Sequence, residues 1–124
     1  MKSIHKYMLG FVMLTSTSFI SVDDVVTALK NGSAAQLSRY FDNTIDISLP
    51  EKTNVYSKSQ AELVLRYFFS NNIVKSFEVL HRGDNAGSQF FIGSLETNNG
   101  TYRTTIYLKQ KGEMQLVQEL RFEK

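Results

Sequence analysis

Two spacings of apolar residues divide this chain. Between Tyr56 and Asn71 the stretch YSKSQAELVLRYFFSN places Ala61, Val64, Leu65 and Phe68 at the repeat of one helical face. Ser57 or Ser59 offers a side-chain acceptor to the first amides of that helix. Glu62, Arg66 and Ser70 fall opposite, with Leu63, Tyr67 and Phe69 on the flanks, a wide apolar band that predicts burial on more than one side. From Ile73 onward the period drops to two. Strands are predicted over residues 73–82, 88–97, 101–110 and 114–123, joined by turns at Gly83 to Gly87, Asn99-Gly100 and Lys111-Gly112. Asn-Gly between alternating segments is a strong hairpin signal because both residues tolerate positive φ. The simplest cover for the helix is this meander, curved around it.

Upstream, Val22, Val25, Val26 and Leu29 form one stripe after Ser21-Val-Asp-Asp24, a capping-box-like start with Asp in place of Glu or Gln. Asn31-Gly32 stops that helix. Ser33 caps a second short helix over residues 34–41, which turns Leu37, Tyr40 and Phe41 inward. Ile45, Ile47 and Leu49 alternate with Asp46 and Ser48 in a half-buried strand that Pro50 ends, and residues 51–55 are expected to be a loop or a short extended piece. The expected fold class is α+β: two short N-terminal helices and one longer helix packed in the concave face of a curved, mainly antiparallel sheet.

Parity then sorts the sheet residues. Phe77, Val79, His81, Phe91, Leu95, Tyr102, Thr104, Ile106, Leu108, Leu116, Gln118, Leu120 and Phe122 are assigned to the concave face. Glu78, Arg82, Glu96, Arg103, Lys109, Glu119, Arg121 and Glu123 take the other. Phe90, Ile92, Tyr107 and Val117 join that charged face as an apolar patch, the kind of feature that marks an association site, here a homodimer interface. A bulge in any strand would reverse its parity.

The first residues differ in kind. Lys2, His5 and Lys6 precede an apolar run from Tyr7 to Leu14 and a small polar segment from Thr15 to Ser21, the order of a secretory signal peptide over residues 1–21 with cleavage at 18–21. The apolar run is shorter than the roughly 18 to 20 residues a spanning helix needs, so no stable span is expected after cleavage. Residues 22–124 then form one domain in the periplasm or outside the cell. The chain has 124 residues, 42% hydrophobic and 21% charged, which excludes a disordered reading. It contains no cysteine, which excludes a disulfide framework, a lipid-modified cysteine and thiolate chemistry. Losing Lys2 and Lys6 leaves basic and acidic side chains equal in number, and no concentrated positive face for nucleic acid is visible.

Isomerase or dehydratase chemistry on such a concave face needs a base, usually a carboxylate or a histidine paired with one, and a donor for the developing oxyanion. The polar groups assigned to the concave face are His81, Tyr102, Thr104 and Gln118, with no Asp or Glu among them. Metal binding lacks a ligand set, since His81 is the only histidine after residue 21. No phosphate-cradling glycine loop or nucleophile motif is present, and no cofactor is expected. Arg82-Gly83-Asp84 spells an integrin tripeptide, but Gly-Asp-Asn between strands is ordinary turn chemistry. Asn31-Gly-Ser33 and Asn99-Gly-Thr101 match the glycosylation triplet, and a helix stop and a turn account for them.

The segments NGSAAQLSRYFD, YSKSQAELVLRYFF and FEVLHRGD are similar to a family of small exported proteins, found chiefly in Bacteroidetes and described only as a domain of unknown function. The order of elements resembles the nuclear-transport-factor-2-like fold, the α+β cone also called cystatin-like, over Val22 to Lys124. The resemblance implies a range of uses: isomerases, dehydratases or hydrolases, binders of ligands or peptides, and domains that only dimerise through the outer sheet. The aromatic interior without a catalytic set points to a non-enzymatic module for a small apolar molecule or a peptide, held by Phe68, His81, Phe91, Tyr102 and Gln118. The alternatives are an isomerase- or hydratase-like enzyme centred on His81, with Tyr102 as donor, and a purely structural dimer with a closed cone.

Overall fold

The computed structural model describes residues 22–124. The expected signal peptide and the expected Ser21 cap lie outside those residues. The elements are α1 (Val22–Asn31), α2 (Ala34–Ser38), β1 (Phe41–Leu49), β2 (Lys52–Ser57), α3 (Lys58–Asn71), β3 (Val74–Asn85), β4 (Ser88–Thr97), β5 (Gly100–Lys111) and β6 (Met114–Glu123). No helix among the described residues is long and apolar enough to cross a membrane.

Local chemistry explains the helix ends. Gly32, at φ +59°, donates to the carbonyl of Leu29 at 3.0 Å, and Ser33 donates to that of Ala28 at 3.1 Å, closing α1 with a pair of crossed hydrogen bonds. The Ser33 hydroxyl then accepts from the amide of Gln36 at 3.1 Å and starts α2. That helix stops at Ser38, short of the expected Phe41. Phe41 instead opens β1, where it pairs in parallel with Val117, and the Val117 amide donates to the Tyr40 carbonyl at 2.7 Å. A sheet partner outcompetes another helical turn for this aromatic backbone. Residues 52–57 are a true strand, β2, returned by a turn at Pro50-Glu51 to pair antiparallel with β1. Its last residue, Ser57, caps α3 reciprocally with Gln60, hydroxyl to amide at 3.3 Å and amide to Oε1 at 3.4 Å.

The sheet order is β2-β1-β6-β5-β4-β3, with β1 and β6 parallel and every other pair antiparallel. Helix α3 buries Ala61, Leu65, Phe68 and Phe69 against the concave side. Leu63 and Tyr67 are 64% and 75% exposed, so α3 is covered on one side, not several. The cause is angular: each of these residues sits about 200° round the helix from a buried one two places earlier. Helix α1 adds Val25, Ala28 and Leu29 to the core, α2 adds Leu37, and the sheet supplies Ile45, Ile47, Leu95, Ile106 and Leu120.

Two bulges change the expected parity. In β3 the register steps from Val79 opposite Gly93 to His81 opposite Ile92, so Leu80 is the extra residue. In β6 it steps from Glu119 opposite Tyr107 to Val117 opposite Leu108, leaving Gln118 out of the ladder. Beyond each bulge the faces exchange. Val117 becomes fully buried and Leu116 sits opposite Lys109, while His81 turns to the outer side and Arg82 to the concave side opposite Phe91. Strand β3 continues through Arg82-Gly83-Asp84 to Asn85, so this tripeptide is held in a ladder, not displayed on a turn.

Candidate functional site

Under α3 the concave face is filled with rings. Phe68 stacks on Phe122 at 4.5 Å between centroids, Tyr102 meets Phe68 edge-on at 5.2 Å, and Phe69 meets Phe122 edge-on at 6.3 Å. The Tyr102 hydroxyl donates to Asn72 Oδ1 at 2.8 Å, while Asn72 Nδ2 donates to the Phe68 carbonyl at 2.9 Å and ties off the last turn of α3. Burial pushes the Tyr102 hydroxyl above its usual range, and the Glu51 carboxylate adds to the shift. The buried Thr104 hydroxyl donates to the Tyr102 carbonyl at 3.3 Å. Phe68 and Tyr102 are therefore brought together as expected, but as packing partners. Neither lines the clefts described below.

The other three residues expected to hold a ligand are scattered. Phe91 is buried beside Phe77 and forms part of a cleft at the far end of the concave face. His81 lies on the outer side, its ring 5.9 Å from that of Phe90, because the Leu80 bulge reverses its direction. An isomerase- or hydratase-like site centred on His81 inside the cone is thus not formed. Gln118, expelled from its ladder by the second bulge, donates to Asp42 Oδ2 at 2.8 Å.

Asp42 is a site that periodicity missed. Its side chain is 9% exposed, Lys111 Nζ lies 3.2 Å from both oxygens, and the Asn43 amide donates to Oδ1 at 2.7 Å. The Gln118 hydrogen bond lowers the carboxyl's pKa most, burial opposes it, and the Asn43 amide and Lys111 lower it further. Every bond comes from the protein, so the group anchors the start of β1 to β6 and the end of β5. Nothing local could have revealed this, since its side-chain partners are 69 and 76 residues away.

A cleft of about 480 Å³ at the β3–β4 end is lined by Val22, Arg82, Gly83, Asp84, Gln89, Phe90 and Phe91. Arg82 leans toward Asp23 of α1 at 3.7 Å, an exposed and weak pair. A second cleft of about 330 Å³ shares Asp84 and Gln89 and extends to Gln110 and Gln115. Among the described residues no three His, Cys, Asp or Glu side chains converge as metal ligands would.

On the outer face, Phe90 and Tyr107 are directly opposite across β4 and β5, and Ile92 follows along β4 between His81 and Thr105. All three are half-buried. Val117, assigned to the same patch by parity, is not part of it, because the β6 bulge points it into the core.

A family model described as "Domain of unknown function (DUF4783)" matches residues 22–123. The chain belongs to this family. A DUF4783 protein from Bacteroides ovatus is 32% identical, with a TM-score of 0.81, covering 85% of this chain and 94% of that one. The fold extends more widely than the family. An NTF2-like protein of unknown function from Cytophaga hutchinsonii shares 10% identity at a TM-score of 0.59, covering 82% of this chain and 83% of that one. A domain with a cystatin-like fold from Nostoc punctiforme shares 14% identity at a TM-score of 0.65, covering 82% and 70%. Both show the fold alone, and the DUF4783 domain is an NTF2-like, cystatin-like cone. No curated protein matches the chain.

Proposed function

We propose that this DUF4783 domain is an exported, non-enzymatic interaction module that pairs with a second copy through the outer face of its sheet. The observation that carries the reading is the direct opposition of Phe90 and Tyr107, with Ile92 alongside, on a face whose other side chains are mostly polar or charged. At the rim, Arg121 is already held by Glu119 at 2.8 Å and lies 4.0 Å from Glu123, so the rim brings little unbalanced charge to a like face. A two-fold axis through the patch would set each copy's apolar residues on the other's, the usual arrangement of a homodimer. The filled interior supports the same reading, because the aromatic residues that could line a chamber pack on one another. The order of basic, apolar and small residues before Val22 supports export.

Light scattering on the purified protein tests the pairing. A dimer is expected at high micromolar concentration, and a monomer there rejects the proposal. Tyr107→Glu places a carboxylate in the patch and should give a folded monomer. Export is checked by sequencing the N-terminus of protein recovered outside the cytoplasm. A start within residues 19–22 is expected, and a start at Met1 refutes cleavage.

A further inference from the structure

The clefts at the β3–β4 end touch the pairing surface proposed above only at Phe90, and their chemistry changes abruptly from that of the core. Along the concave face, the paired positions Leu108 and Val117 are apolar and fully buried. One step further toward the hairpins the pairs are Asp84 with Gln89 and Gln110 with Gln115, and Arg82 stands beside them opposite Phe91. The two clefts meet at Asp84 and Gln89 and together fall in the size range of small-molecule sites.

One atom there lacks what a folded protein normally supplies. Gln115 Oε1 is buried without a hydrogen-bond partner, while Gln115 Nε2 donates to Gln110 Oε1 at 3.4 Å. Turning the amide over would set two oxygens against each other, so the contact with Gln110 selects this orientation and leaves an acceptor in need of a donor. Asp84, a second acceptor, has no ion-pair or hydrogen-bond partner among the described residues. Phe91 and Val22 add an apolar wall.

We propose that this cleft binds a neutral, hydroxyl-rich small molecule, a mono- or disaccharide. Asp84 accepts from its hydroxyls, Gln115 accepts once its side chain swings its buried oxygen toward the cleft, Gln89 both donates and accepts, and the wall at Val22 and Phe91 meets its C–H face. Amide groups match hydroxyls because both kinds of group donate and accept. An anion fits poorly, since the one guanidinium faces Asp23 and the neighbouring Asp84 repels negative charge. A polyamine would find a single unpaired carboxylate, and an apolar molecule would strip water from the amides without replacing it.

Nitrogen-15 NMR on the full chain reads the amide signals of Gln89, Gln110 and Gln115 directly. Glucose, galactose, N-acetylglucosamine and their β-linked disaccharides are titrated to about 10 mM, with spermidine and glutamate alongside. At least one saccharide should shift the Gln89 and Gln115 amides. Asp84→Ala and Gln115→Leu should each weaken that binding about tenfold, the loss expected when a ligand hydroxyl is left unpaired. The Asp84 side chain is exposed, so its variant keeps the fold even if Gln115→Leu disturbs the hairpin. Shifts produced only by spermidine or glutamate, shifts confined to other parts of the molecule, or no shift with any saccharide would overturn the proposal. Tyr107→Glu should leave the saccharide shifts in place, which separates this test from that of the pairing.

Discussion

Asp42 follows a helical stretch in the sequence and begins a strand in the structure, and the difference brings its carboxylate against Gln118, Lys111 and the Asn43 amide. Because the folded pKa lies below the ordinary value of 3.8, these bonds stabilise the fold above that pH, and the stabilisation is lost as pH falls through the folded pKa. Lys111 is half exposed and contributes the smaller part. Asp42→Ala should lower the stability measured in urea at neutral pH by about 1–3 kcal/mol, since it leaves the Gln118 amide without its acceptor. The gap between variant and parent should shrink below about pH 4, and a gap unchanged at about pH 3 would trace the loss to packing rather than charge. His81 makes the complementary point. Its residue type suggested chemistry, but its direction is set by Leu80, a neighbour with no chemistry of its own.

At the scale of elements, boundaries governed by capping were legible and boundaries governed by pairing were not. Ser57 with Gln60, and Ser33 with Gly32 before it, start and stop helices through bonds made within a few residues. Ser57→Ala should lower thermal stability by about 1 kcal/mol through the loss of the cap to α3, and an unchanged melting temperature would mean that tertiary packing alone sets the end of that helix. Strand β2 shows the opposite case. KTNVYS has little alternation and is almost wholly exposed, and it is a strand because β1 offers it a partner across the Pro50 turn. The bulges at Leu80 and Gln118 belong with β2, since alternation in one strand says nothing about the residue count of its neighbour.

At the scale of the molecule, the last strand lies between β1 and β5, in the interior of the sheet order. That placement separates two residues that parity had put in a single patch. Val117 is enclosed near Phe41 and Leu108, whereas Tyr107 stays half-exposed on the outer face. Val117→Glu should therefore prevent folding, read as lost soluble yield or a flat denaturation curve, because it buries a charge with no partner. Tyr107→Glu should leave the fold intact, and a well-folded Val117→Glu protein would contradict the β6 register. What the sequence determined by itself was the three helices, five of the six strands, their order, the α+β class and the caps at Ser33 and Ser57, because these depend on spacings and bonds within a few residues. Tertiary structure alone decided where His81, Val117 and Gln118 point, what Asp42 binds, and that the cone is filled beneath α3. Those outcomes follow from register between strands far apart in the chain, where one extra residue reverses every side chain that follows.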